Sequence, residues 1–138
     1  MISQRKAREV ALQILFQQEF SPQSSAQELF AAFVDNFEID QKTQDYSLLL
    51  TEGVMEQTAS INEVISSHSE NWSFDRIAVI DRILLQIAIF ELKFSKETET
   101  PPKLCITDII DLAKKYSSED SKNFINGILD QIYQQELT

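Results

Sequence analysis

Two glycines and three prolines in 138 residues leave almost no material for tight hairpin turns, which excludes a sheet-rich fold. The single cysteine, Cys105, has no partner for an internal disulfide, and its neighbours Leu104, Ile106 and Ile109 mark it as a small core residue. The single histidine, His68, has no second histidine or cysteine near it, so a surface or helix-end place suits it better than a zinc site. No apolar run approaches the roughly 18 residues of a membrane span, and the N-terminus lacks the apolar stretch of a secretory signal. The cytoplasm is the expected location. Also missing are a Gly-rich phosphate loop, a serine or cysteine paired with a histidine, and a cluster with metal-ligand spacing. No catalytic residue, cofactor or metal is therefore expected, and the chain reads as a non-enzyme.

What remains is rich in Leu, Ile, Ala, Gln and Glu, and 43% of it is hydrophobic. That is enough for one all-α domain over residues 1–138 with a substantial core. The net charge of −10 is unevenly spread. Residues 1–8 carry Arg5, Lys6 and Arg8 and no acid, whereas residues 9–75 carry twelve acids against the single Lys42. Such a chain repels nucleic acid over most of its surface, so RNA binding must be confined to a small basic patch. About three phosphate contacts on a single strand predict a log-log salt slope of only roughly −2. Acidity for solubility alone is the alternative meaning of the charge.

The basic patch opens an amphipathic helix. At the helical period Ala7, Val10, Ala11, Ile14 and Leu15 form one stripe, suited to a core. Arg5, Arg8, Leu12 and Phe16 form a second stripe on the other side. Cations interleaved with an aromatic suit single-stranded RNA, with arginines on phosphates and Phe16 as a stacking platform. The other account is a second layer of protein that covers Leu12 and Phe16, with the arginines ringing it.

Further helices follow at short intervals. Ser21-Pro22 ends the first. Ala26, Leu29, Phe30, Phe33, Val34 and Phe37 make a narrow stripe read as core. A third helix carries Tyr46, Leu49, Leu50, Gly53 and Val54, and a fourth, continuous with it or nearly so, carries Ile61, Val64 and Ile65. Asn71 to Arg76 is a turn with Ser73 as a cap and Trp72 closing the bottom of the core. From Ile77 to Phe94 apolar residues surround the helix, which marks a central, buried element. Asp75, Arg76, Asp81 and Arg82 cluster at its start, where the arginines can pair with the acids. Residues 95–102, polar and ending in Pro101-Pro102, form the internal sub-boundary. Two more helices end the chain, the last capped by Asp120 or Ser121, with Gly127 inside it permitting close packing.

Four ordered blocks carry a family resemblance. They are Arg5-Lys6-Ala7-Arg8-Glu9 with Ala11 to Phe16; Asn71 to Arg82; Pro101-Pro102-Lys103 with Ile109 to Tyr116; and Glu119 to Asp130. Together they span nearly the whole chain, which resembles the NusB family of transcription antitermination factors.

The resemblance implies a fold of about seven helices in two packed three-helix subassemblies. It implies binding of the boxA element of ribosomal RNA transcripts together with NusE, a small-subunit ribosomal protein, and entry into the RNA polymerase antitermination complex. By family pattern Arg5, Lys6, Arg8, Leu12 and Phe16 belong to the RNA surface, joined by Asp120 and Phe124 from the last helices, while Asp81 faces NusE. Gln4 stands where many relatives place another basic residue, and Phe16 where a tyrosine is common. Some relatives form homodimers that cover the arginine stretch. Two alternatives stand beside this reading: an acidic protein-binding scaffold without RNA function, and the helical RNA-binding domain found in some ribosomal RNA methyltransferases. The end of the chain at Thr138, without a nucleotide-binding domain, speaks against the second.

Overall fold

A computed structural model describes residues 4–34, 38–69, 73–95 and 100–136. Among them are seven α-helices and no strand: α1 (Gln4–Phe20), α2 (Ala26–Val34), α3 (Gln41–Glu56), α4 (Thr58–His68), α5 (Val79–Ile89), α6 (Pro102–Tyr116) and α7 (Glu119–Glu136). The all-α expectation holds. Phe37, Trp72 and residues 96–99 of the polar linker lie outside the described residues.

Local chemistry starts the helices. Ser25 and Glu28 form a reciprocal cap at α2, with the Glu28 N–H donating to Ser25 Oγ at 3.1 Å and the Ser25 N–H to Glu28 Oε1 at 3.3 Å. Asp40 caps α3 by accepting from the Thr43 N–H at 2.7 Å. Pro102 opens α6, where a missing N–H costs nothing. Helix α7 is capped by Ser118, whose Oγ accepts from the Ser121 N–H at 3.1 Å, so the cap lies two residues before Asp120 and three before Ser121. Ser73 makes no side-chain cap; its carbonyl accepts from the Arg76 N–H in a short 3₁₀ turn over Phe74–Arg76.

Helices α1, α2 and α3 pack together, α4, α6 and α7 gather around α5, and α5 also packs on α1 and α3. The central position of α5 follows from its sequence, since Ile83 to Phe90 are all buried. After Ile89 the helix widens into a π turn over Phe90–Phe94, which carries Glu91 into the interior. Arg82, at the start of α5, pairs with Glu19 of α1 at 2.6 Å rather than with the acids beside it.

Two core expectations change. In α2 only Ala26 is buried, and Leu29, Phe30, Phe33 and Val34 are half-buried, because α2 has α1 and α3 beneath it and solvent above. Gly127 is exposed, and a Cβ there would meet nothing within 4 Å. The close approach occurs at Gly53 of α3, where a Cβ would run into the Phe90 ring. Cys105 is a buried core residue as expected. His68 sits in the last turn of α4 with Nδ1 2.9 Å from the Val64 carbonyl.

Candidate nucleic-acid interface

Helix α1 meets the core along more of its circumference than its first stripe predicts. Arg8 is completely buried and Leu12 is 2% exposed. Protein covers both, which removes them from an RNA surface and corrects the sequence expectation. The reason is charge pairing. Arg8 Nε and Nη2 donate to Glu91 Oε1 and Oε2 at 2.6 and 2.7 Å, and Nη1 donates to Asp108 Oδ2 at 2.7 Å. The Tyr46 hydroxyl adds a hydrogen bond to Glu91 Oε2 at 2.8 Å. Burial alone disfavours a charged guanidinium, but the hydrogen bonds and charge of Glu91 outweigh it and hold Arg8 protonated above its ordinary range. Leu12 packs into the same core as Tyr46, Leu50 and Leu84.

Arg5, Lys6 and Phe16 stay outside. Their angular positions place them on one side of α1, with Glu9, Gln13 and Phe20 between them; Arg5, Lys6, Phe16 and Phe20 are exposed, whereas Glu9 is buried and Gln13 half-buried against the end of α6. Arg5 donates to Asp111 at 3.2 Å with half its side chain exposed, and Lys6 pairs with Glu9 at 3.3 Å. Eleven residues on, about 16 Å along the axis, stands Phe16. Its ring is 37% exposed and packs at 68° against the more exposed ring of Phe20, with centroids 5.2 Å apart.

The last turn of α6 completes this face. Lys115 Nζ and the Tyr116 hydroxyl donate to the same Glu9 oxygen, Oε2, at 2.6 and 2.7 Å, and Gln13 donates to the Tyr116 hydroxyl at 3.0 Å. Arg5, Lys6, Glu9, Leu112 and Lys115 border an open cleft of about 190 Å³. Burial pushes the Glu9 carboxyl up, but the hydrogen bonds from Lys115, Tyr116 and Lys6 prevail and bring it from 4.5 down to about 2. Sequence reasoning missed Lys115, Tyr116 and Phe20. A lysine in the last turn of a helix reads as a dipole partner, and nothing local shows that it crosses to a residue 106 positions away.

Asp120 and Phe124 open into a neighbouring cleft of about 480 Å³, lined also by Arg76, Ile77 and Asp81. Asp81 is 5% exposed and accepts from the Ser117 hydroxyl at 3.0 Å. The expected partner-facing residue and the two expected RNA-facing residues therefore share one cleft. Tyr116 and Ser117 stand between the two clefts, one turned to Glu9 and the other to Asp81.

A scan against family models matches the NusB family over residues 5–134. The chain belongs to the NusB family. It is 37% identical to the transcription antitermination protein NusB of Bdellovibrio bacteriovorus, over 96% of both chains. Among solved structures it is similar to T. maritima NusB, with a TM-score of 0.83, 32% identity, and 98% of this chain and 94% of that one covered. It is also similar to a chain in a structure of the antitermination factors NusB and NusE in complex with dsRNA, with a TM-score of 0.80, 30% identity, and 94% and 95% coverage. Among the described residues no helix is long and apolar enough to cross a membrane, and no group of His, Cys, Asp and Glu could hold a metal ion.

Proposed function

We propose that this chain binds boxA-type RNA along the outer sector of α1 and the adjoining end of α6, and meets NusE at the neighbouring Asp81 cleft. Transcription antitermination is its function, as in the family to which it belongs. RNA and NusE are its partners, by its likeness to the structure that holds both. Entry into the RNA polymerase antitermination complex is the remaining step of this reading.

The observation that carries the assignment is the placement of Arg5, Lys6 and Phe16, all three exposed, on one side of α1. Two cations at one end hold phosphates, and an exposed aromatic at the other offers a π-face to a base. Asp120 and Phe124, one cleft away, extend the RNA path, and Asp81 in that cleft suits a basic partner. A basic partner also explains how a chain of net charge −10 works on RNA.

Labelled boxA RNA and a scrambled control, titrated with the chain alone and with equimolar NusE, test this. Selective binding that strengthens with NusE is expected. No selectivity in either condition returns the chain to the protein-scaffold reading. The exposed Phe16 and Phe20 pair favours a second possibility, a homodimer sealed along the same sector. Light scattering separates the two, since a dimer that persists unchanged on RNA binding does not mask the site.

A further inference from the structure

We propose that Lys115, held by Glu9, is the third cation of the RNA surface, and that Arg5, Lys6 and Lys115 form a preorganised clasp for an RNA backbone phosphate. The inference rests on the RNA reading above and deepens it by naming a subsite and the residue that shapes it. With Arg8 buried, the N-terminal basic run supplies only two outward cations, Arg5 and Lys6. Lys115 restores the third from a different helix, its side chain 58% exposed at the mouth of the cleft that Arg5 and Lys6 border.

Glu9 gives the clasp its geometry. Its carboxylate is 11% exposed and takes Lys6 on one oxygen and Lys115 with the Tyr116 hydroxyl on the other. The negative charge lies beneath the cations, where an incoming phosphate meets N–H donors first. An ammonium has three N–H donors, and the Glu9 contact uses one of those on Lys115. A free surface lysine surrenders considerable rotamer entropy when it fixes a phosphate. A lysine already tied to Glu9 has surrendered part of it on folding, so its phosphate contact is worth more. Counting Asp111 and Glu9 against the three cations leaves the clasp net positive within a strongly acidic molecule. Leu112 forms the apolar side of the cleft.

The test is a titration of fluorescein-labelled boxA RNA and its scrambled control with the full chain and four variants, across a potassium chloride series, with folding of each checked by a thermal melt. Lys115→Ala is expected to weaken both RNAs several-fold by the same factor and to flatten the log-log salt slope by about 0.7, because a phosphate contact carries no sequence information. Lys42→Ala, on α3, matches the parent. Glu9→Gln is the deciding variant: it makes the protein one unit more positive, so a role in charge balance alone predicts tighter binding, whereas loss of positioning predicts weaker binding. Tyr116→Phe leaves charge untouched and is expected to weaken binding modestly with the slope unchanged, which keeps the positioning claim open to test should Glu9→Gln not fold. A parent that binds while Lys115→Ala keeps its affinity and slope overturns the clasp and leaves the RNA reading standing. Tighter binding by folded Glu9→Gln overturns the positioning role. A parent that binds neither RNA overturns the RNA reading and the clasp with it.

Discussion

Arg8 and Glu91 meet through two parallel hydrogen bonds of 2.6 and 2.7 Å in the interior, with both side chains all but removed from solvent. The pair joins α1 to the π turn that follows α5, and Asp108 ties it to α6. A π turn is the device that makes this possible, because the wider winding lets Glu91 face inward at the end of an otherwise apolar helix. An arginine in a basic N-terminal run thus serves the fold rather than the ligand.

Replacement of Arg8 by alanine is expected to destabilise the protein by about 3–5 kcal/mol, the cost of leaving buried carboxylates unpaired. Arg8→Lys is a poor rescue, since an ammonium cannot reproduce the two-pronged contact with Glu91. Urea unfolding monitored by circular dichroism measures both. RNA affinity of the folded fraction should equal that of the parent; a variant of full stability that has lost RNA binding would return Arg8 to the RNA surface.

Glu9 makes part of the stability depend on acid pH. Its carboxyl is depressed from 4.5 to about 2 in the folded protein. The ionised form is the one that folding favours, so the contribution is complete above the unfolded value and disappears as pH falls from about 4.5 towards 2. Denaturation midpoints collected through that window should fall more steeply for the parent than for Glu9→Gln. Parallel curves would show that the contacts of Glu9 contribute nothing to folding.

The two glycines respond oppositely to alanine. Gly53→Ala forces a Cβ into the Phe90 ring, and overpacking of this kind costs about 1–3 kcal/mol. Gly127→Ala enters open space at an exposed position of α7, where no glycine has a positive φ, and is expected to stabilise by about 1 kcal/mol through helix propensity. Thermal melts of both variants check the pair, and equal effects would contradict the packing described for α3 and the π turn.

Phe16→Ala should weaken boxA binding by about 1–3 kcal/mol, the worth of one stacked base, without altering the salt slope, because stacking displaces no counterions. Phe16→Tyr keeps the ring and should bind as the parent does. A flattened slope in Phe16→Ala would place the phenylalanine in support of a phosphate contact instead.

Much of the fold was legible without coordinates. The apolar ring of Ile77 to Phe94 announced a central buried helix, and Ser21-Pro22 marked the end of α1 where it occurs. Caps were harder: Ser118, Asp120 and Ser121 all have capping chemistry, and only backbone geometry selected Ser118. In α2 the periodicity identified the inward face correctly but could not say how deep it lies, so its phenylalanines read as core and are half-exposed.

Sequence alone determined the helical class, the order of the helices along the chain, and the isolation of positive charge at the N-terminus. Tertiary structure decided what covers each face. Periodicity states which residues share a side of a helix, but the partners of that side come from distant chain: Glu91 and Asp108 for Arg8, Lys115 and Tyr116 for Glu9. An arginine facing solvent and an arginine facing two buried carboxylates look alike in a linear pattern, because desolvation and pairing depend on what the rest of the chain brings to the same place.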